Sequence, residues 1–190
     1  RITTTGKNIN VVGTIESRDS GQININASDA SHFMGGFTTT TDGVGNLILS
    51  DNSVWNMTKN SQLTNLVLNN SSLNFLHVGL RSDNTSRTGA GFKTLLVKSD
   101  FAGNNGNLVM NTALADDSSL TDRLIVNGDT SGTTNVKVMN AGGMGGLTAN
   151  GIELITVKGI SAGEFIQNGR IVAGSYDYTL QRGTGHNSDN

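Results

Sequence analysis

The chain has 190 residues, of which 35% are hydrophobic, 15% are charged and 5% are aromatic, and it contains neither Pro nor Cys. This composition excludes a disordered chain, and the absence of Cys excludes disulfide bonds and zinc–thiolate sites. The formal net charge of −2 provides no basic surface, so we expect no nucleic-acid binding and no membrane insertion of this segment.

Short runs of alternating apolar and polar residues predict half-buried β-strands along the whole chain. In chain order, the inward-facing residues of the clearest runs are Ile23 and Ile25, Leu73 and Phe75, Leu124 and Val126, Val136 and Val138, and Tyr176, Tyr178 and Leu180. No long window keeps the spacing of an amphipathic helix. The absence of Pro agrees with this pattern, because Pro removes a hydrogen bond from a strand ladder. We therefore predict an all-β fold.

Turn-forming pairs divide these strands into a loose repeat. Examples are Asp42-Gly43, Asn69-Asn70 and Asn127-Gly128. Between the turns, similar apolar triplets surround Trp55, Leu66, Leu73, Leu95 and Leu108. The repeat gives about three short strands in roughly 20 to 25 residues, which is the size of one coil of a β-solenoid. A sandwich of β-hairpins fits the same pattern, so the residues alone leave both architectures open.

The titratable side chains do not form a recognisable catalytic or metal site. Asp116 and Asp117 are an adjacent acidic pair, and their neighbours predict a loop with solvated carboxylates. His32, His77 and His186 are isolated, with no second His or Cys at ligand spacing. We therefore expect no enzymatic activity, no cofactor and no metal.

Gly, apolar and aromatic residues after Leu120 recur in an order that is specific as a whole. The pattern comprises Asp122, Leu124, Val126, Gly128, Gly132, Thr133, Gly142, Gly143, Thr148, Gly151, Ile152, Leu154, Val157, Gly163, Phe165, Val172, Ala173, Gly174, Tyr176, Tyr178 and Leu180. It resembles the C-terminal passenger segment of bacterial autotransporters, a pertactin-like region called the autochaperone. Upstream, residues 55–58 and 65–68 resemble the preceding coils of the same family.

The resemblance implies a right-handed parallel β-helix, and so favours the solenoid over the sandwich. Residues 1–119 would form passenger coils, and residues 120–182 would form autochaperone-like coils with a C-terminal cap. Residues 183–190 would form a flexible polar tail or linker. The resemblance also implies a signal peptide before this chain and a translocation barrel after it. Export would pass through the periplasm to the cell surface or outer membrane, with release to the medium as a further outcome.

The function implied by the resemblance is that of an intramolecular chaperone that nucleates β-helix folding during secretion. Its partners would be the upstream passenger coils and the downstream translocation barrel. Actin-recruiting members of the family further imply virulence through actin-based motility, with a host actin-nucleation regulator bound by the full passenger. The alternative is a host-binding adhesin or interaction module, and a glycan-degrading β-helix enzyme is less favoured.

We expect the folding nucleus or cap to be built by apolar and aromatic residues near the C-terminal end. These structural residues are Leu124, Val126, Ile152, Leu154, Phe165, Val172, Tyr176, Tyr178 and Leu180. The segment 164–180 is expected to cover the last coil, because an open end would expose the apolar interior and unpaired strand edges.

Overall fold

The computed structural model describes residues 1–77 and 91–183, and within these ranges every regular element is a β-strand. The first face of the fold contains β1 (Ile2–Lys7), β4 (Gln22–Ser28), β7 (Val44–Ser50), β10 (Asn65–Asn69) and the first halves of β13 (Phe101–Thr112) and β15 (Thr130–Asn140). The short strand β17 (Glu164–Gln167) pairs with β15 across the corner between the first and second faces. The second face contains β2 (Asn10–Val12), β5 (His32–Gly35), β8 (Val54–Met57), β11 (Ser72–Phe75) and the distal halves of β13 and β15.

The third face contains β3 (Ile15–Ser17), β6 (Phe37–Thr39), β9 (Ser61–Leu63), β12 (Thr94–Val97), β14 (Arg123–Val126) and β16 (Ile155–Val157). All pairs on the three faces are parallel, and each joins one coil to the next. Among the described residues, only β18 (Ile171–Ala173) and β19 (Tyr176–Tyr178) form an antiparallel pair of strands. The prediction of an all-β, stacked parallel fold is confirmed, whereas its right-handed sense stays a prediction.

Inward-facing side chains of successive coils stack into apolar ladders. On the first face Leu47, Leu66 and Phe101 lie in register and are at most 1% exposed. The ladder of the second face contains Phe33, Trp55, Leu73 and Leu108, and that of the third face contains Leu95, Leu124 and Ile155. Because each strand alternates, its other side chains face outward. The stacked ladders form one continuous core that runs through the coils.

A polar ladder of serines lies inside the corner between the first and second faces. Ser31, Ser53 and Ser71 are at most 1% exposed. The backbone N–H of Ser31 donates to Ser53 Oγ at 3.1 Å, and that of Ser53 donates to Ser71 Oγ at 3.2 Å. These bonds satisfy backbone donors that the turn removes from the sheet.

Left-handed residues form the outside of this corner. Asn52, Asn70 and Asn105 have φ values of 61°, 46° and 53°. Asn tolerates this conformation better than most residues with a Cβ. The predicted turn at Asn69-Asn70 is thus a coil corner rather than the turn of a β-hairpin.

The coils lengthen toward the C-terminus. Stacked Asn side chains are 22 and 19 residues apart in the early coils, but 35 and 30 residues apart in the later ones. In the coils that contain β13 and β15, additional residues form two side loops, 113–122 and 141–154, between the second and third faces. No helix of the described residues is long and apolar enough to cross a membrane. The predicted tail, apart from Gly183, lies outside the described residues, as does His186.

Candidate functional site

The expected nucleus residues occupy different depths in the C-terminal part of the fold. Leu124 and Val126 are fully buried in β14. Ile152, Leu154, Phe165, Tyr178 and Leu180 are half-buried and pack against the core. Val172 and Tyr176 are 43% and 36% exposed, so they contribute less packing than their sequence pattern indicates. Whether these residues form a folding nucleus stays a prediction.

In the C-terminal hairpin, the side chains of β18 that face the core are not the one that the sequence predicted. Ile171 and Ala173 are only 4% and 3% exposed, while Val172 between them points to solvent. Val172 pairs with Asp177 and Ala173 pairs with Tyr176 across the hairpin. Sequence alternation alone could not distinguish the two faces of such a short strand, because Ile, Val and Ala are all apolar.

Phe165 reaches past a whole coil to pack on an aromatic side chain of the coil beyond it. Its strand β17 pairs with β15, yet its ring stacks on Phe101 of β13, with ring centroids 5.9 Å apart and planes at 25°. Nearby, the buried Gly103 pairs with Gly132, which is exposed. A Cβ on Gly103 would overlap Thr134 Oγ1, and a Cβ on Gly132 would overlap the Gly103 carbonyl oxygen. These two glycines therefore allow β13 and β15 to approach each other closely at this point.

The Tyr178 hydroxyl joins the hairpin to both side loops. It donates to the carbonyl oxygen of Ala115 or of Gly146, each at 2.9 Å, and accepts from the Gly146 N–H at 2.9 Å. Ala115 belongs to loop 113–122 and Gly146 to loop 141–154. One side chain thus connects three successive layers, and loss of its hydroxyl would leave backbone groups without a partner.

Asp117 holds the two side loops together. Its carboxylate accepts three consecutive backbone N–H groups, from Ala149 at 2.9 Å, Asn150 at 2.8 Å and Gly151 at 3.0 Å. These hydrogen bonds lower the pKa of the carboxyl, with the bond from Asn150 as the largest cause. Asp117 is exposed and lies in a turn, as the sequence predicts, but it also binds the loop of the next coil, which the sequence did not indicate. Asp116 does stay within its own turn, where it accepts from Ser118.

Asp122 is a fully buried carboxylate at the base of loop 113–122. It accepts the backbone N–H of Lys93 at 2.8 Å, the backbone N–H of Asn111 at 2.7 Å and the side-chain amide of Asn111 at 2.9 Å. Burial raises the pKa of this carboxyl, and the opposing hydrogen bonds and the Lys93 charge do not cancel that effect. The Lys93 ammonium, whose pKa burial lowers, donates to the carbonyl oxygens of Leu76 and Gly91. Asp122 therefore fixes strand ends from two coils.

The last described residues fold back onto β17. Arg182 donates to the carbonyl oxygens of Ser161 and Gly163 at 2.7 and 2.8 Å, and to Glu164 Oε1 at 3.2 Å. The N–H of Leu180 donates to Gln167 Oε1 at 2.9 Å. These contacts hold segment 179–182 across the end of the solenoid.

A cavity of about 820 Å³ remains between the last coil and this cap. Its apolar lining includes Val138, Ile152, Leu154, Phe165 and Leu180, and its polar lining includes Asp117 and Arg182. Within the described ranges, no three His, Cys, Asp or Glu side chains are grouped so that they could hold a metal ion. The polar groups named above are engaged in hydrogen bonds between layers, which is an arrangement suited to holding coils together.

Sequence reasoning missed several residues that make these contacts. Asp122 and Gly132 were positions of the family resemblance, but their roles in packing were not recognised. Arg182 carried no signal in the sequence, because a single Arg near a polar end is ordinarily a solvated residue.

Comparison with known proteins adds an independent finding. The family model described as Autochaperone Domain Type 1 matches residues 61–180. The uncharacterized protein YuaQ of Escherichia coli K12 is 39% identical over 196 aligned residues, covering 96% of this chain and 13% of YuaQ.

Two relatives are named as adhesins. The autotransporter adhesin AIDA-I of Escherichia coli is 44% identical over 108 residues, covering 56% of this chain and 8% of AIDA-I. The adhesin BmaC autotransporter of Brucella suis is 45% identical over 101 residues, covering 49% of this chain and 3% of BmaC. This chain therefore spans a small fraction of the length of each of these relatives.

Proposed function

Because the chain belongs to the type 1 autochaperone domain family of autotransporter passengers, we propose that its C-terminal coils act as an intramolecular chaperone during outer-membrane secretion. They would fold first and provide an edge on which upstream coils stack. The translocation barrel after this chain and the upstream coils before it would be its partners. In this proposal the chain has no catalytic role.

The observation that carries this proposal is the concentration of contacts between layers after residue 93. Asp122 and Tyr178 each bind backbone groups of two segments, and Asp117 binds three consecutive N–H groups of the loop in the next coil. A solenoid's first coil must order its backbone with few neighbours, whereas a later coil gains a complete ladder at once. Contacts that join several layers lower the cost of that first step.

We propose further that the complete protein is a surface adhesin. The relatives AIDA-I and BmaC are named as adhesins, and this favours adhesion over actin-based motility. Binding of a host actin-nucleation regulator has no support from these names and rests on the sequence resemblance alone. The expected location of the complete protein is the cell surface or outer membrane, with release to the medium as a further outcome.

The chaperone proposal is tested by two equivalent core truncations in the complete parent protein. Leu124 lies in the C-terminal coils and Leu47 lies in the third coil, and both are at most 1% exposed. Leu→Ala at such sites costs about 2–5 kcal/mol. Bacteria that display each variant are treated with protease, and the surviving surface fragments are mapped.

Leu124→Ala is expected to make the coils upstream of it sensitive to protease, because they lose the folded edge on which they stack. Leu47→Ala is expected to leave the C-terminal coils resistant and to affect only its own coil and those before it. Equal fragment patterns from the two variants would show that folding has no C-terminal origin.

A further inference from the structure

A column of polar side chains follows one outer edge of the first face through successive coils. The corner column comprises Thr3, Asn24, Asn46, Asn65, Asp100 and Asp129. Asn46 Nδ2 donates to Asn24 Oδ1 at 2.8 Å, and Asn65 Nδ2 donates to Asn46 Oδ1 at 2.9 Å. In the early coils the column is therefore a chain of side-chain amides.

The corner column changes chemistry in the later coils. The backbone N–H of Asp100 donates to Asn65 Oδ1 at 3.0 Å, and the backbone N–H of Asp129 donates to Asp100 Oδ1 at 2.8 Å. The Asp129 carboxylate in turn accepts the N–H of Ile160 at 2.7 Å. Here a carboxylate of one coil accepts from the backbone of the next.

These backbone donors determine the direction of the whole column. A backbone N–H can only donate, so the amide oxygen of Asn65 must face Asp100 and its Nδ2 must face Asn46. Asn46 must then present its oxygen to Asn65 and its Nδ2 to Asn24. The orientation of each amide is thus set from the C-terminal side and passed toward the N-terminus.

The amide pairs at other corners have the same direction. Asn104 Nδ2 donates to Asn69 Oδ1 at 2.6 Å, and Asn105 Nδ2 donates to Asn70 Oδ1 at 2.9 Å. On the second face, Asn74 Nδ2 donates to Asn56 Oδ1 at 3.0 Å. In each pair the residue nearer the C-terminus is the donor. Aligned hydrogen bonds of this kind polarise one another and strengthen the chain.

We propose that the corner column is a directional recognition element, which selects the coils that can stack on the N-terminal side. A coil that stacks there must place a side-chain oxygen at this column, from Asn, Asp, Ser or Thr, to accept the amide donor that faces it. Thr3 occupies this position in the first coil, where its Oγ1 accepts from Asn24 Nδ2 at 3.5 Å. This inference rests on the proposed templating function and names the class of coil that the template accepts.

The direction is tested by exchanging Asn and Asp at adjacent positions of the column in the 190-residue chain. In Asn65→Asp the carboxylate still accepts from the Asp100 N–H, but it faces Asn46 Oδ1 without a proton to donate. In Asp100→Asn the amide oxygen can still accept from the Asp129 N–H, and the new Nδ2 can donate to Asn65. Urea unfolding is followed by far-UV circular dichroism at pH 7.

Asn65→Asp is expected to lower the folding equilibrium constant about tenfold or more, and Asp100→Asn to leave it nearly unchanged. Acidification below about pH 4 protonates the introduced carboxyl and restores a donor, so the deficit of Asn65→Asp relative to the wild type should shrink. Equal effects of the two exchanges, or a deficit that does not change with pH, would overturn the proposed direction. Such a result would not decide the chaperone proposal, which the protease experiment on Leu124→Ala and Leu47→Ala tests separately.

The requirement for an oxygen is tested at the first coil. Thr3→Val keeps the branched shape and strand preference of Thr but removes the oxygen, whereas Thr3→Asn keeps an acceptor. Hydrogen exchange of the amides in Ile2–Lys7 is the readout. Thr3→Val is expected to exchange several-fold faster than Thr3→Asn. Equal or slower exchange in the Val variant would show that stacking does not depend on the acceptor.

Discussion

The early coils and the C-terminal coils are stabilised in different ways. Residues 22–77 are connected by repeated ladders, in which one Ser or Asn per coil binds its equivalent in the next. Residues 93–183 continue some of these ladders and add contacts that occur once, such as those of the buried Asp122 carboxylate and the Tyr178 hydroxyl. Repeated ladders suit propagation because every coil offers the same edge. Single contacts that join three layers suit initiation, since they hold segments that would otherwise have few neighbours.

The two regions also differ in what they expose. Between residues 22 and 77, Met34 is the one exposed large hydrophobic side chain, at 37%, whereas Met144 and Leu147 of loop 141–154 are 88% and 80% exposed. Regular coils therefore hide their apolar residues almost completely, and the irregular loops do not. Substitutions at the C-terminal contacts should therefore show how much each contact contributes to the stability of the fold.

The largest effect is expected from Gly132→Ala, which would break the close packing of the C-terminal coils. The new Cβ would overlap the Gly103 carbonyl oxygen, and φ at this position is 72°, so the substitution combines a clash with backbone strain. The expected loss is about 4 kcal/mol of unfolding free energy, measured by urea denaturation.

Gly151→Ala is the matched control for Gly132→Ala. Gly151 has a φ of 92° with nothing within 4 Å of its Cβ position, so only backbone strain applies. Its expected cost is about 1–2 kcal/mol. Equal losses at the two positions would mean that the close approach of β13 and β15 does not limit stability.

Asp122→Ala is expected to have the next largest effect. It would leave the backbone N–H groups of Lys93 and Asn111 without their acceptor, and the Asn111 side-chain amide would keep only its bond to the Phe75 carbonyl oxygen. The expected loss is about 3 kcal/mol, since each buried unsatisfied donor costs about 1–3 kcal/mol and the site can partly relax. Asp116→Ala is the control and should cost little, because Asp116 is exposed and bonds only within its own turn. If both variants are equally stable, the buried carboxylate does not stabilise the nucleus.

The Asp122→Asn variant provides a pH test of the same carboxylate. The pKa of Asp122 is raised above its ordinary value of 3.8 in the folded state. Its stabilising contribution is therefore fully present below pH 3.8 and declines as the pH rises through the folded-state pKa. Urea midpoints measured at several pH values should show the advantage of the wild type over Asp122→Asn shrinking as the pH rises. An advantage that grows with pH would mean that the folded state lowers this pKa.

The smallest effect is expected from Tyr178→Phe, which removes only the hydroxyl that joins the hairpin to both side loops. Loss of the bonds to Ala115 and Gly146 should cost about 1 kcal/mol, measured by thermal or urea unfolding. Tyr176→Phe is the control, since Tyr176 is 36% exposed and makes no hydroxyl bond among the described residues. A cost for Tyr176→Phe as large as that for Tyr178→Phe would contradict the role of the Tyr178 hydroxyl.

Much of the regular architecture could be predicted from the sequence, because period-two alternation reports burial directly. The paired residues at Leu73 and Phe75 and at Leu124 and Val126 all face the core. Parallel stacking was decided only by the family resemblance, since a sandwich of hairpins shows the same alternation.

The contacts of the cap could not be predicted, for a physical reason. Asp117 and Tyr178 bind groups 32 residues or more away along the chain, and such partners depend on where long loops lie. Local composition described Asp117 as a turn residue, and it does lie in a turn. Only the stacking of two loops gives it three N–H groups to bind.

The antiparallel hairpin of β18 and β19 has a consequence for how far parallel coils can stack. Parallel coils can in principle add end to end without limit, as the cross-β strands of a fibre do. Here the last two strands of the described residues pair with each other as an antiparallel hairpin. Parallel stacking of a further coil on this hairpin would first require it to open, so the hairpin opposes continued parallel stacking at this end of the described residues.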